Sequence, residues 1–470
     1  MSSETTKLTP LVITLMVGVV IWFSPVPAGV DVKAWHLLAI FVATVVGIIA
    51  KPLPMGAVAM LGITMTALTG TLTITEALSG FGNYTIWLIV IAFFISRGFI
   101  KTGLGARIAY LFMSAFGKKS LGLAYSMIAT DLVLAPAIPS NTARSGGVIF
   151  PILRSIAKSY GSEPDDGTAR RIGAFLIKTS FQGTVITSAM FLTAMAANPM
   201  AAQIAGEMGI EITWGSWALA AIVPGLASLA VVPWILYKLY PPEITETPAA
   251  TQIARDHLEE MGKLKPEEWV MLSTFLLLLF LWIFGPQLGI NGTTAALVGL
   301  AVLLVSGALS WNDILQEKGA WNTLVWFAAL VMMATFLNKL GLIPWFGQTI
   351  GEAVQGVSWI TAFLVLSLVY FYSHYFFASN TAHVSSMYGA FLAVAIAVGT
   401  PPMLAALVLA FFSNLFSSMT HYGTGPAPVL FGSGYVEMGT WWKLGGLISI
   451  VNIVIWLGIG GLWWKVLGIW

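Results

Sequence analysis

Two Ser-Asn-Thr triplets carry the side chains of this sequence that are best suited to bind a small solute. One lies in APAIPSNTARSGG (135–147) and the other in FASNTAHVSSMY (377–388). Their members are Ser140, Asn141, Thr142, Ser379, Asn380 and Thr381. Ser, Asn and Thr are good N-cap residues, so a helix is predicted to begin at each triplet. The free N–H groups and positive dipole end of such a helix attract an anion. A purely structural cap is the alternative.

An ionisable residue follows each triplet at the same distance. Arg144 and His383 both lie two residues beyond the Thr of their triplet. Such residues are costly inside a membrane and usually functional, and the planar fork of Arg suits a carboxylate. We therefore predict that both belong to the binding site, whereas Asp131 is expected to be a structural partner. The His residues show neither a metalloprotease nor a hydrolase spacing, so we expect no enzyme.

Two glycine-threonine pairs provide a third matching feature. Gly183-Thr184 and Gly423-Thr424 each fall within an apolar run, and a proline follows at 199 and at 426. We predict a helix break at both pairs, which frees backbone groups at membrane depth. This adds Gly183, Thr184, Gly423, Thr424 and Pro426 to the predicted site. A kink that serves helix packing is the alternative.

The elements that must position these residues are transmembrane helices. The chain has 470 residues, of which 57% are hydrophobic and 9% are charged, whereas a soluble domain carries about 25% charged residues. Apolar runs recur from PLVITLMVGVVIWF (10–23) to LGGLISIVNIVIWLGIGGLWW (444–464). With about 20 residues per span, they predict an all-α polytopic membrane protein of about eleven transmembrane helices. We expect no nucleic-acid partner, and the absence of Cys excludes disulfides and thiolate metal sites.

The two halves of the chain are predicted to be copies of each other. Residues 83–104 align with 321–342, the triplets align at nearly the same offset, and 182–191 aligns with 422–431. Lys and Arg cluster around the first triplet and are sparse around the second, which places the flanks of the first inside and those of the second outside. The copies are therefore inverted, with the N-terminus cytoplasmic, the C-terminus outside and a substrate site at mid-membrane.

Each triplet lies between two apolar arms, at 121–139 and 143–160 in the first half and at 358–378 and 382–398 in the second. Because both arms return to one side, each pair is predicted to form a re-entrant hairpin. The predicted parts are first-half helices (1–116), the first hairpin and broken helix (117–240), a cytoplasmic loop (241–268), second-half helices (269–345), and the second hairpin, broken helix and last helix (346–470).

The paired triplets, PSNTARSGG (139–147) and THYGTGPAPVLFGSGYV (420–436) closely resemble the divalent anion/sodium symporter family. The resemblance is strongest to its citrate/succinate and 2-oxoglutarate/malate translocator branch, found in bacteria and plastids. It implies a homodimer in a bacterial inner membrane. Each protomer would have a scaffold part, made of the first-half and second-half helices, and a transport part, made of the hairpins and broken helices, that moves like an elevator. It also implies that the triplets bind substrate carboxylates and that the Gly-Thr stretches line the same site.

Sodium-coupled relatives carry a hydroxyl residue about one turn before each triplet, where this chain has Pro136 and Tyr375. The resemblance therefore favours exchange of 2-oxoglutarate for malate or a related C4-dicarboxylate, with sodium symport as the alternative. If Na⁺ binds, we expect it at Asn141, Gly183, Asn380 and Gly423. No other cofactor is expected.

In an exchanger, the empty transport part must cross the membrane slowly. We expect an unshielded Arg144 to hinder that crossing and the bound dicarboxylate to neutralise its charge. An anion channel and an intramembrane enzyme are alternatives from other functional classes. The sequence leaves open which of 2-oxoglutarate, malate, succinate, citrate or tartrate is preferred.

Overall fold

The computed structural model describes residues 7–353 and 358–470, apart from the side chains of 350–353, and this part is helical. Its α-helices are α1 (Leu8–Trp22), α2 (Val32–Ala50), α3 (Met55–Leu68), α4 (Ile74–Ala77), α5 (Tyr84–Thr102), α6 (Leu104–Phe116), α7 (Ser120–Leu134), α8 (Phe150–Ser159), α9 (Gly173–Met190), α10 (Ala197–Glu207), α11 (Trp214–Leu239), α12 (Pro248–Met261), α13 (Pro266–Phe284), α14 (Gly292–Val305), α15 (Trp311–Gln316), α16 (Lys318–Lys339), α17 (Leu342–Ala353), α18 (Trp359–Ser373), α19 (Asn380–His383), α20 (Gly389–Ala397), α21 (Pro402–Leu415), α22 (Pro426–Phe431), α23 (Met438–Val454) and α24 (Gly461–Val466).

Shorter segments join several of these helices. The 3₁₀ segments are Ser79–Gly82, Gly285–Leu288, His374–Phe376 and Phe416–Ser418, and the π segments are Ala143–Ile149, Val384–Tyr388 and Ile455–Gly460. The predicted cytoplasmic N-terminus, the start of the first predicted part and 354–357 of the last predicted part lie outside the described residues.

Seven helical stretches of the described part are long and apolar enough to span a membrane, and further apolar helices are shorter. The seven are Val32–Ala50, Tyr84–Thr102, Trp214–Leu239, Pro266–Leu288, Lys318–Lys339, Trp359–Phe376 and Met438–Val466. The prediction of an all-α polytopic membrane protein is confirmed. The number of about eleven spans stays a prediction, because length and composition do not decide which shorter helices cross.

The two halves have the same order of elements. A long helix, a short amphipathic helix, a hairpin and a broken helix follow one another from α5 to α10 and again from α16 to α22. The alignment of 83–104 with 321–342 matches α5 to α16, and both triplets lie at the hairpin turns. These two parts of the predicted repeat therefore agree with the structure.

The third part of the alignment is wrong, because no helix break occurs at Gly183. Helix α9 continues from Gly173 to Met190, and the chain leaves the helix only at 191–196. A Cβ on Gly183 would lie 2.6 Å from Cγ1 of Ile128, so this glycine permits close packing against α7. The connection before α9 (160–172) is longer than the one before α21 (398–401), which shifts the offset between the halves.

Prolines and N-cap residues shape the hairpin turns. In the first hairpin, α7 ends at Leu134, and Pro136 and Pro139 follow, which cannot continue the helical hydrogen-bond pattern. Ser140 Oγ then accepts a hydrogen bond from the N–H of Ala143 at 3.1 Å. In the second hairpin, Ser379 Oγ accepts from the N–H of Ala382 at 3.4 Å. The predicted helix starts at both triplets are confirmed.

A buried ion pair fixes the hydrophilic segment predicted as a loop at 241–268. This segment contains helix α12, which packs against α6. Arg107 of α6 donates from Nε to Glu268 Oε1 at 2.6 Å and from Nη2 to Glu268 Oε2 at 3.0 Å. A third guanidinium bond, to the carbonyl of Gly262, is 2.9 Å long. Such a bidentate pair is geometrically specific, so α12 and the start of α13 are held on α6.

Candidate functional site

The two triplets, 239 positions apart in the sequence, line one cavity of about 320 Å³. The hairpin turns approach each other there, and Thr424 and Gly425 of the break before α22 complete the polar wall. The polar members of this wall are Ser140, Asn141, Thr142, Ser379, Asn380, Thr381 and Thr424. We call this space the tip cavity. Its size lies at the lower end of the range of small-molecule sites, about 300–1,000 Å³.

Both triplets present hydrogen-bond donors in the same way. The Ser oxygen of each triplet is used to cap the third N–H of the following helix. The N–H groups of Asn141, Thr142, Asn380 and Thr381 make no hydrogen bond elsewhere in the described part of the chain. Because an anion satisfies such donors well, this arrangement of the two turns can bind an anion.

The two Asn side chains also hold the turns in place. Asn141 Nδ2 donates to Thr424 Oγ1 at 3.1 Å, which joins the first turn to the break of the second half. Asn380 Nδ2 donates to the carbonyl of Ser413 at 3.0 Å and to Ser417 Oγ at 2.9 Å, at the end of α21. Asn141 and Asn380, which were both predicted to bind substrate, therefore also position their own hairpin turns.

Arg144 lies outside the tip cavity. Its side chain is fully buried, and Nε donates to Asp131 Oδ1 at 3.0 Å. Nη1 donates to the carbonyls of Ile138 and Ala194, both at 2.6 Å, and Nη2 donates to Ser188 Oγ at 3.1 Å. Asp131 also accepts a hydrogen bond from the hydroxyl of Thr187. The structural role expected for Asp131 agrees with these contacts. For Arg144, the geometry favours positioning of the first turn over contact with a substrate.

His383 is also buried away from the tip cavity. Its Nδ1 lies 3.1 Å from His374 Nδ1, and His374 Nε2 lies 2.9 Å from the carbonyl of Gly423. The rings of Phe377 and Phe416 both stack on the His383 ring, with centroid distances of 4.5 and 4.6 Å. The histidine pair therefore joins the second hairpin to the break that carries Thr424.

The glycine-threonine predictions divide between the halves. Of the residues predicted in the second half, Thr424 lines the tip cavity, whereas Gly423 and Pro426 do not; Gly425, which was not predicted, lines it beside Thr424. Gly183 and Thr184 lie inside α9 and do not reach the tip cavity. The segment that replaces them at the wall comes from the actual break in the first half, through Met195 and Ala196.

The predicted sodium ligands are only partly available. The carbonyl of Gly423 already faces His374, and Gly183 lies in a helix interior where its carbonyl pairs along the helix. At the places before the triplets, the carbonyl of Pro136 accepts from Thr193, and Tyr375 packs its ring against Trp442. Asn141 and Asn380 remain at the tip cavity.

Residues that the sequence analysis missed form the opposite wall of the tip cavity. They come from α2, α5 and α16 and from the α2–α3 turn, and they include Lys51, Phe93, Thr323 and Trp326. A KPLP turn between two apolar runs is a weak signal, because it reads as an ordinary connection between two helices. Only the packing of α2 and α3 on α16 brings this turn to the triplets.

Comparisons with known proteins agree with this architecture. The profile of the sodium:sulfate symporter transmembrane region matches residues 5–470. YflS of Bacillus subtilis (strain 168), for which malate transport is a provisional assignment, is 64% identical over 465 residues, with 99% of this chain and 97% of that protein covered. The chloroplastic dicarboxylate transporter 1 of Spinacia oleracea is 54% identical over 464 residues, with 98% and 82% covered.

A solved structure shares the fold. MtrF of Neisseria gonorrhoeae, described with a class of antimetabolite efflux pumps, superposes with a TM-score of 0.55 at 13% identity, with 97% of this chain and 94% of that chain covered. At this identity the likeness concerns the fold alone. The profile match over nearly the whole chain decides the family. This chain belongs to the sodium:sulfate symporter family, also called the divalent anion/sodium symporter family, whose members are transporters and not enzymes.

Proposed function

We propose that the protein is a secondary transporter that exchanges small dicarboxylates, most of all 2-oxoglutarate and malate, across the bacterial inner membrane. The observation that carries the proposal is the tip cavity, where two helix starts offer backbone N–H groups and Ser, Asn and Thr side chains to one small volume. The names of the relatives support the substrate class, because they describe malate and dicarboxylate transport.

The arrangement of donors fits an acid with two carboxylates. Each turn presents its own set of N–H groups, so one carboxylate can be bound at each turn while the carbon chain lies between Met195, Phe93 and Trp326. A helix start stabilises a negative charge by about 0.3–1 kcal/mol when exposed and by up to about 2 kcal/mol when partly buried. A dicarboxylate makes two such contacts and a monocarboxylate makes one, so the dicarboxylate binds with higher affinity.

Exchange is favoured over sodium symport by the state of the carbonyls near the turns. The carbonyls of Ile138 and Ala194 are satisfied by Arg144, and that of Gly423 is satisfied by His374. Of the predicted sodium ligands, the carbonyl of Gly423 thus already accepts from His374, and Gly183 lies inside α9. Arg144 itself is neutralised by Asp131, so the expected barrier from an unshielded Arg144 does not fit this geometry.

A different barrier follows for the empty carrier. Without an anion, the N–H groups of residues 141, 142, 380 and 381 have no hydrogen-bond partner among the described residues. Moving such donors through an apolar environment is costly, since an unsatisfied buried polar group costs about 1–3 kcal/mol. Bound dicarboxylate satisfies them, so loaded crossing is fast and empty crossing is slow. This is the behaviour of an obligatory exchanger.

The remaining features of the proposal concern the whole assembly. The hairpins and broken helices form the transport part, the helices of 1–116 and 269–345 form the scaffold part, and the transport part moves like an elevator. The functional unit is a homodimer, with the N-terminus in the cytoplasm and the C-terminus outside. These features rest on the family and on the distribution of Lys and Arg.

Transport in proteoliposomes tests the proposal. Vesicles loaded with malate should take up labelled 2-oxoglutarate without sodium, and vesicles without internal dicarboxylate should take up little. Uptake that needs an inward sodium gradient and no internal dicarboxylate would instead establish the runner-up, sodium symport. Ion currents that do not depend on internal substrate would indicate a channel.

A further inference from the structure

Lys51 is the one charged residue of the described chain that lines the tip cavity. It is solvent-exposed, and its ammonium group makes no ion pair or hydrogen bond with another described residue. The buried cations of the first hairpin and of α9 have other partners. Arg144 pairs with Asp131, and Lys178 donates to the carbonyl of Trp441. Lys51 is therefore the positive charge that is available to an anion in the tip cavity.

The backbone of Lys51 is held in an unusual conformation. Lys51 ends α2 with φ 53° and ψ 53°, and it is the one non-glycine residue with positive φ in the described part. Left-handed backbone is unfavourable for a residue with a Cβ, and the following Pro52 restricts Lys51 further. Glycine or asparagine would be better suited to such a helix end. Strained residues of this kind are concentrated at functional sites. We therefore expect the Lys51 side chain to have a function that glycine could not provide.

The α2–α3 turn lies across the tip cavity from the two hairpin turns. Helix α2 packs mainly on α1, α3 and α16, and the short helix α19, which begins at the turn of the second hairpin, also touches it. The cavity wall around Lys51 includes the apolar Ile48, Ile49 and Met55. Because the apolar wall excludes water from one side of Lys51, its attraction to an anion in the tip cavity is stronger than that of a fully hydrated lysine.

The matching turn of the second half has no such cation. Helices α13, α14 and α15 follow in the same order as α2, α3 and α4, with capping boxes at Thr73–Glu76 and Ser310–Asp313. The α13–α14 turn reads GPQLGIN (285–291) and lines a second cavity of about 760 Å³. The charged residues that line this second cavity are Glu207 and Glu211. The tip cavity thus offers a lysine, and the second cavity offers two carboxylates.

We propose that Lys51 binds one carboxylate of the transported dicarboxylate directly, and only while the turns face the α2–α3 side of the membrane. The proposal rests on the proposed dicarboxylate transport and adds a residue of the scaffold part to the substrate site. Because the α13–α14 turn has no equivalent cation, the protein binds its substrate more tightly from the Lys51 face. The transporter is then asymmetric, although its halves are copies.

The test is the KM for malate of the Lys51→Gln variant, measured on each membrane face. Right-side-out and inside-out vesicles loaded with saturating malate report the two faces separately. A charge-assisted hydrogen bond corresponds to about a 10- to 100-fold change in affinity. We expect KM to rise by that factor on one face and to stay at the wild-type value on the other. Lys51→Arg should restore most of the loss, and Lys119→Gln, at an exposed site, should leave both faces unchanged.

Salt dependence and backbone strain separate this role from a structural one. Wild-type KM on the Lys51 face should rise with KCl, and the Lys51→Gln variant should lose most of that slope. Lys51→Gly relieves the strained backbone, so it should be at least as stable as wild type and still show the one-sided rise. Unchanged KM on both faces, or an equal rise on both, would overturn the assignment of Lys51. Wild-type exchange in the same vesicles would leave the proposed function standing, whereas its absence would refute that function instead.

Discussion

The Arg144–Asp131 pair gives a quantitative prediction for the first hairpin. Arg144→Met removes the bond to Asp131 and the bonds to the carbonyls of Ile138 and Ala194. Asp131 is then left as a buried carboxylate with the Thr187 hydroxyl as its remaining donor. Removing one partner of a buried pair costs about 3–5 kcal/mol. We therefore expect Arg144→Met to lower the free energy of unfolding by about that amount.

A double-mutant cycle isolates the pair from the rest of the network. Asp131→Leu alone leaves a buried guanidinium without its anion and should cost a similar amount. In the variant that carries both changes no unpaired charge remains, so the loss should be smaller than the sum of the single losses by about 3 kcal/mol. The remaining loss arises from the two carbonyls, at about 1–3 kcal/mol each.

Unfolding in mixed detergent and SDS micelles, followed by the fluorescence of the 19 Trp residues, measures these differences. Binding of 2-oxoglutarate to the folded protein is measured in parallel. If Arg144→Met unfolds at the same SDS fraction as wild type but no longer binds substrate, then the guanidinium contacts the substrate and our account of it is refuted. Additive single losses would show that the two groups do not act as a pair.

The turns and the close approach of the break lead to further predictions. Asn141→Ala removes the 3.1 Å bond to Thr424 and a cavity donor, so KM should rise about 5- to 150-fold in exchange assays, for a loss of about 1–3 kcal/mol. Asn380→Ala should also raise KM, because the Asn380 amide holds the second turn on Ser413 and Ser417, and it should reduce thermal stability in detergent, since two buried acceptors lose their donor; a wild-type KM in both variants would remove the triplets from the site. A Cβ on Gly425 would overlap Thr142 Oγ1, so Gly425→Ala should abolish exchange, whereas Gly147→Ala, with no neighbouring atom within 4 Å, should exchange normally. Equal exchange rates in these two glycine variants would show that the first hairpin turn and the break before α22 do not pack as closely as the structure indicates.

Local chemistry made the hairpin turns predictable. A proline pair followed by Ser-Asn-Thr both ends one helix and begins the next, so the helix start at Ser140 can be read from residue types alone. The second triplet then followed from similarity between the halves. The joint tip cavity was implied by inversion of those halves, which depends on charge distribution rather than on any contact.

Tertiary contacts decide the features that the sequence did not reveal. The partner of Arg144 could have been a substrate or Asp131, and only the packing of α7 against the turn distinguishes them. Gly183 resembled Gly423 because a constant offset was assumed, although a longer connection before α9 shifts the register. Lys51 was missed because a left-handed lysine at a helix end has no sequence signature.

The central claim is that one dicarboxylate is held by both Ser-Asn-Thr triplets at once. An experimental structure of the protein in lipid nanodiscs with saturating 2-oxoglutarate tests it most directly. We expect density for one ligand in the tip cavity, with its carboxylates within hydrogen-bonding distance of residues 140–142 at one end and 379–381 at the other. Ligand density at a single triplet, or outside the tip cavity, would contradict the account.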